Sequence, residues 1–186
     1  MAPKIKDKYK EIELVKNCLK NDQKAQKELY ETYAPKMLGV CFRYINDYDI
    51  AHDTMQDVMI KVFQNLEKFR NEGGLYTWIK TISINQCLGY LKKERKILKI
   101  EIEDAFEIQT NEPNMLQNME VDFIMKSLAK LPTTLRTVMN LNALEGYEYH
   151  EISKMLDIEE VSVRSQISRA RKLLTEIIKL NKLAML

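Results

Sequence analysis

Backbone freedom is scarce in this chain. Only five glycines and four prolines occur among 186 residues, while Lys, Glu, Leu and Ile are abundant. Straight-chain side chains lose little rotamer freedom in a helix, so this balance favours helix throughout. With 45% hydrophobic and 30% charged residues, the chain has enough apolar surface to fold and is not compositionally disordered. No run approaches the roughly 20 consecutive apolar residues that span a bilayer. The N-terminal MAPKIKDKYKEIELVK lacks the continuous apolar core of a secretory signal. The expectation is a cytoplasmic protein with no direct membrane insertion.

Cysteine and histidine are equally sparse. Cys18, Cys41 and Cys87 are odd in number, far apart and without a CxxC pair. That argues against a zinc site or a disulfide framework and for reduced, mostly buried thiols. His52 and His150 have no partner at ligand spacing. No Ser/Cys/His constellation and no phosphate-binding glycine loop is present. No catalytic residue, metal or cofactor is therefore expected, and nothing in the sequence supports a helical enzyme.

What is present divides into two helical blocks, so the expected fold is all-α, two small helical domains joined by a flexible linker. The boundaries are drawn at 1–96, 97–118 and 119–186. Periodicity predicts helices near 7–20, 23–45, 48–69 and 75–96 in the first block. In the second it predicts helices near 119–130, 133–144, 148–156 and 160–181. Pro35 should kink or restart its helix, because proline removes a donor and crowds the preceding turn. Pro132 turns Leu131 away from helix and separates two of the later ones, and Gly146 is a natural terminator. The formal net charge of +2 conceals a strong asymmetry. Lys92, Lys93, Arg95 and Lys96 form a basic run, and directly after it Glu101, Glu103, Asp104, Glu107 and Glu112 oppose only Lys99. The alternation of Ile100 and Ile102 with glutamates allows a short extended piece, and TNEPN is linker chemistry.

Residues 48–69 carry the clearest pattern. Met55, Val58, Met59, Val62, Phe63 and Leu66 recur at core-facing helical spacing. Asp53, Gln56, Asp57 and Gln64 gather opposite, with Lys61 at the margin and Ile60 in the middle of the polar face. Such a face is either simply solvated or a surface that docks a protein.

In NEGGLYTWIKTISINQCLGYLKKERK, Gly73 and Gly74 permit a loop before the next helix. Leu75, Trp78, Ile79 and Ile82 form its apolar side, which makes Trp78 a packing residue first. Tyr76, Lys80, Asn85 and Gln86, with Lys92, Lys93 and Arg95, supply stacking surface, polar groups and cations. These are the types that hold a separated nucleic-acid strand. An amphipathic helix with a solvated basic end would show the same composition.

The segment YHEISKMLDIEEVSVRSQISRARKLL has the form of a helix-turn-helix. Ile152, Met155 and Leu156 precede a turn at Asp157-Ile158, and Val163, Ile167, Ala170 and Leu174 share one face of the longer helix that follows. The outer face carries Val161, Ser162, Arg164 and Ser165 near its start, where a recognition helix meets base edges. Arg169, Arg171 and Lys172 lie further along, where cations hold phosphate. A helical hairpin with a basic outer face is the plainer alternative.

Taken together, AHDTMQDVMIKVF, Phe69-Arg70, Trp78 and Asn85 resemble region two of RNA polymerase sigma factors, closest to the compact extracytoplasmic-function (ECF) group. LPTTLRTVMNLNALEGYEYHEISKMLDI and VSVRSQISRARKLL resemble region four. The chain departs from the family pattern at His52, Met59, Leu75, Gly89 and Asp157. The resemblance implies a transcription initiation factor with two partners, core RNA polymerase and promoter DNA. Asp53, Gln56, Asp57, Ile60 and Lys61 would dock the polymerase. The 75–96 helix would recognise and melt the −10 element, and the C-terminal helix-turn-helix would read the −35 element. An anti-sigma factor is a further partner common in that group. The rival reading is a helix-turn-helix regulator that binds DNA without polymerase.

Overall fold

The computed structural model describes the backbone of residues 5–98 and 119–183, and within them the side chains of 9–94 and 123–181. Eight α-helices and no strand occur among the described residues. Apart from residues 43–46, the chain divides into two compact units between Lys96 and Ile97. The acidic stretch and its alternating isoleucines lie outside the described residues.

The first unit contains α1 (Ile5–Leu19), α2 (Gln23–Ile45), α3 (Tyr48–Asn65) and α4 (Leu75–Leu98). The same device separates α1 from α2 and α2 from α3: an Asn-Asp pair. Asn21 (φ 60°) and Asn46 (φ 61°) take the left-handed conformation that ends a helix, which asparagine tolerates better than most residues. The aspartate that follows then caps the next helix. Asp22 Oδ1 accepts from the Lys24 amide at 2.8 Å, and Asp47 Oδ1 from the Ile50 amide at 3.0 Å. Helix α3 closes in a 3₁₀ turn, Leu66–Lys68.

Helix α2 continues through Pro35 and does not restart there. Pro35 and Glu31, whose carbonyl loses its donor, both lie on the exposed side, so the orphaned carbonyl is not buried against the core. Below that face, Leu29, Met37, Val40 and Cys41 are buried with Val58, Met59 and Val62 of α3 and Leu75, Ile79, Ile84 and Cys87 of α4.

The second unit contains α5 (Met119–Ala129), α6 (Thr133–Met139), α7 (Tyr149–Leu156) and α8 (Glu160–Leu183). Helix α6 opens into a π turn, Asn140–Leu144, before Gly146 (φ 82°) reverses the chain. At the start of α7 the Glu148 amide donates to Glu151 Oε2 at 2.8 Å. At its end Asp157 takes the left-handed conformation (φ 56°, ψ 50°), as expected for the residue standing in place of glycine. Ser153 Oγ donates to the Ile158 carbonyl at 2.6 Å, so this small residue closes the turn. Helix α8 packs on α5, α6 and α7. Val163 and Ile167 are buried, as is Ile152 of α7, and further along Ala170, Leu173, Leu174 and Ile177 pack with Leu128, Leu131 and Met139.

Candidate docking and nucleic-acid surfaces

The α3 stripe is inside as its spacing predicts: Met55, Val58, Met59, Val62 and Leu66 are buried and Phe63 is half-buried. With that side committed to the core, Asp53, Asp57, Ile60 and Lys61 are exposed, and Ile60 leaves 55% of its surface in solvent. Gln56 is half-buried and donates Nε2 to the Tyr30 hydroxyl at 3.0 Å, which ties this edge of the face to α2. Gln86, expected beside Asn85 among strand-holding residues, reaches α3. Its Nε2 donates to Asp57 Oδ2 at 3.3 Å, and its Oε1 accepts from Lys61 Nζ. Asp57, Lys61 and Gln86 therefore form one polar cluster across α3 and α4.

On α4, Tyr76 is 39% exposed, and the Lys80 ammonium lies 5.7 Å from its ring centroid, one helical turn on. Asn85, Lys92 and Lys93 are exposed, while the Arg95 side chain lies outside the described residues. Trp78 is half-buried against Phe69, with ring centroids 5.6 Å apart and planes tilted by 56°. That contact fits its expected packing role.

The start of α4 is held from a distance that no local pattern reveals. The Leu75 amide donates to Glu11 Oε2 of α1 at 3.0 Å, and the Tyr33 hydroxyl of α2 donates to Glu11 Oε1 at 3.4 Å. Burial, then the neighbouring Glu11 carboxylate, pushes the Tyr33 phenol up to about 12. Sequence reasoning missed Glu11, which sits 64 residues from the amide it accepts and belongs to no motif.

On α8, Val161 is 74% exposed, Ser165, Arg169 and Lys172 are exposed, and Ser162 is half-buried. Two arginines have partners within the unit. Arg164 lies 3.4 Å from Glu160 Oε1, with its guanidinium 5.6 Å from the Tyr149 ring centroid. Arg171 Nη2 donates to Asn142 Oδ1, in the π turn, at 3.3 Å. Among the described residues no group of His, Cys, Asp and Glu is arranged to hold a metal, and no helix is long and apolar enough to cross a membrane.

The sigma-70 region 2 family model matches residues 29–97, and that of sigma-70 region 4 matches residues 124–174. The chain is 31% identical over 173 residues to the ECF RNA polymerase sigma-E factor of Haemophilus influenzae, covering 87% of this chain and 91% of that one. It is 30% identical over 171 residues to the sigma-E factor of Escherichia coli K12, covering 86% and 89%. Two solved structures share the fold. The sigma factor RpoE of Bartonella quintana, in complex with the anti-sigma factor NepR, has a TM-score of 0.52 at 20% identity, covering 82% of this chain and 96% of that chain. CnrH, in complex with the cytosolic domain of CnrY, has a TM-score of 0.51 at 19% identity, covering 91% and 97%. The chain belongs to the extracytoplasmic-function group of RNA polymerase sigma factors, with a region 2 match spanning α2 to α4 and a region 4 match spanning α5 to α8.

Proposed function

We propose that this transcription initiation factor works in the cytoplasm, docks on core RNA polymerase through the outer face of α3, and carries the enzyme to promoters that it reads with two separate helices. Residues 1–96 would dock and engage the −10 element, 97–118 would tether, and 119–186 would read the −35 element. The observation that carries this reading is exposed Ile60, set among Asp53, Asp57 and Lys61 on a helix whose other side is committed to the core. An apolar centre ringed by charge is how docking patches are built. A polymerase-independent regulator would need the helix-turn-helix of the second unit and would leave the α3 face idle. By analogy with the complexes named above, a protein anti-sigma partner is proposed as well.

On α8, Val161, Ser162, Arg164 and Ser165 would face bases, and Arg169, Arg171 and Lys172 would face phosphate. Arg164 must release Glu160, and Arg171 must release Asn142, to bond DNA fully. Run-off transcription with core enzyme on a panel of −35 substitutions, at several salt concentrations, tests the assignment. Arg164→Ala should lose about 1–3 kcal/mol at one base position. Lys172→Ala should weaken all promoters alike and lower the salt slope by about one. Transcription that does not depend on the protein would refute the whole reading, and an exchange of the two phenotypes would reverse the orientation of α8.

A further inference from the structure

The first turn of α4 must be stabilised from outside its own sequence. Its first amides, at Leu75, Tyr76 and Thr77, have no intrahelical acceptor, since the helical ladder begins with the Trp78 amide donating to the Gly74 carbonyl at 3.2 Å. Gly74, at the capping position, has no side chain to offer, and its φ of 82° disfavours any residue that has one. The first turn contains no acid to complement the positive end of the helix dipole. Glu11 meets both needs. One carboxylate oxygen accepts from the Leu75 amide at 3.0 Å, and the other accepts from the Tyr33 hydroxyl, whose phenol is only 6% exposed. A carboxylate bonded at both oxygens, by two different elements, has a fixed direction as well as a charge.

We infer that Glu11 is a positioning residue for promoter engagement: from α1 it caps α4 and so fixes the orientation of Tyr76 and Lys80. Tyr76 is the residue next to the capped amide, and Lys80, which lies over its ring, is one turn on. If the cap is lost, the first turn frays, and this pair, with Tyr76 exposed and Lys80 half-buried, is the first to lose its geometry. The α3 docking face lies on a helix with its own cap, the Asp47 carboxylate accepting from the Ile50 amide, and α4 meets that face through Gln86, about three helical turns beyond Leu75. Glu11 should therefore act on DNA engagement and not on polymerase affinity. This deepens the proposed function, since it rests on α4 being the −10 helix.

The test uses the full chain, alone and assembled with core polymerase, in Glu11→Ala, Glu11→Gln and Tyr76→Ala forms, with Glu13→Ala as a control for charge on an exposed position of α1. Amide hydrogen exchange should show Leu75 exchanging about fivefold faster in Glu11→Ala. Holoenzyme affinity for a pre-melted −10 fork DNA should fall about fivefold in the same variant, with core affinity within about twofold of wild type. Glu11→Gln keeps an oxygen acceptor and should recover most of both losses, and Glu13→Ala should change neither. Equal losses of core and fork binding in Glu11→Ala would make Glu11 a general structural residue and overturn the inference. Fork binding weakened by Tyr76→Ala but not by Glu11→Ala would overturn it while leaving the −10 reading intact. Wild-type fork binding in both variants would remove the −10 reading and the inference together.

Discussion

The two units differ in how they close the turns that lead into their working helices. In the first, the contacts that place α3 and α4 join residues far apart in sequence. Glu11 reaches Leu75 across 64 positions, Gln56 reaches Tyr30 across 26, and Gln86 reaches Asp57 across 29. In the second, the helix-turn-helix is set by short-range chemistry. Ser153 bonds Ile158 five residues on, the Glu148 amide bonds Glu151 three residues on, and Asp157 supplies the left-handed turn by its own conformation. Helices placed by distant contacts can be loosened from many places, whereas a turn closed locally depends on the few residues around it and the core beneath.

The largest effect should come from that core. Ile167→Ala removes a side chain that is 1% exposed beneath the recognition face, and should cost about 2–5 kcal/mol. Hydrogen exchange should show the loss concentrated in α7 and α8, with α3 and α4 spared. Uniform loss of protection across both units would mean that they do not unfold separately. Next in size is Asp57→Arg, which reverses a charge on the exposed docking face and leaves the stripe behind it intact. Core polymerase affinity should fall by about 2 kcal/mol, roughly thirtyfold, with an unchanged circular dichroism spectrum. Unchanged affinity would move the docking surface elsewhere.

Ser153→Ala should be milder, at about 1 kcal/mol, because it removes one turn-closing hydrogen bond at a partly buried site. Chemical denaturation of the full chain would measure it, and a cost near zero would mean that Asp157 holds the turn without help. The smallest effect is confined to alkaline solution. Tyr33 has a folded pKa raised to about 12 from an ordinary value near 10, so the unfolded chain releases that proton first. The stability it contributes is whole below pH 10 and drains away as pH rises toward 12. Tyr33→Phe should flatten this part of the stability curve without abolishing the decline, since burial and Glu94 raise Tyr90 as well. A parallel alkaline decline in the variant would show that Tyr33 carries no linkage.

The same contrast explains what could be read from sequence. The eight helices follow from periodicity, and several of their ends from Pro132, Gly146 and Asp157, all of which act within a few residues; the Asn-Asp pairs that end α1 and α2 act as locally but emerged only with the structure. The 3₁₀ turn after α3 and the π turn after α6 were not legible, because both are adjustments of helix ends to packing. That α2 would continue through Pro35 without restarting was not legible, because the sequence does not say which side of α2 meets water. The outward position of Ile60 was legible, being fixed by a strong stripe on the opposite side. Glu11, the α3-facing position of Gln86 and the Tyr149 partner of Arg164 were not, because each depends on which helices become neighbours.

The cysteines turn this asymmetry into something measurable. All three fall in the first unit, at 4%, 0% and 0% exposure, and the second unit contains none. Burial also raises the Cys18 pKa, which reduces its reactive thiolate in the native state. A thiol reagent added to the untouched protein is therefore a clock for openings of the first unit alone, silent to anything the helix-turn-helix does. Mass shifts of one, two or three labels would tell whether α1, α2 and α4 open together or in sequence, with no engineered probe.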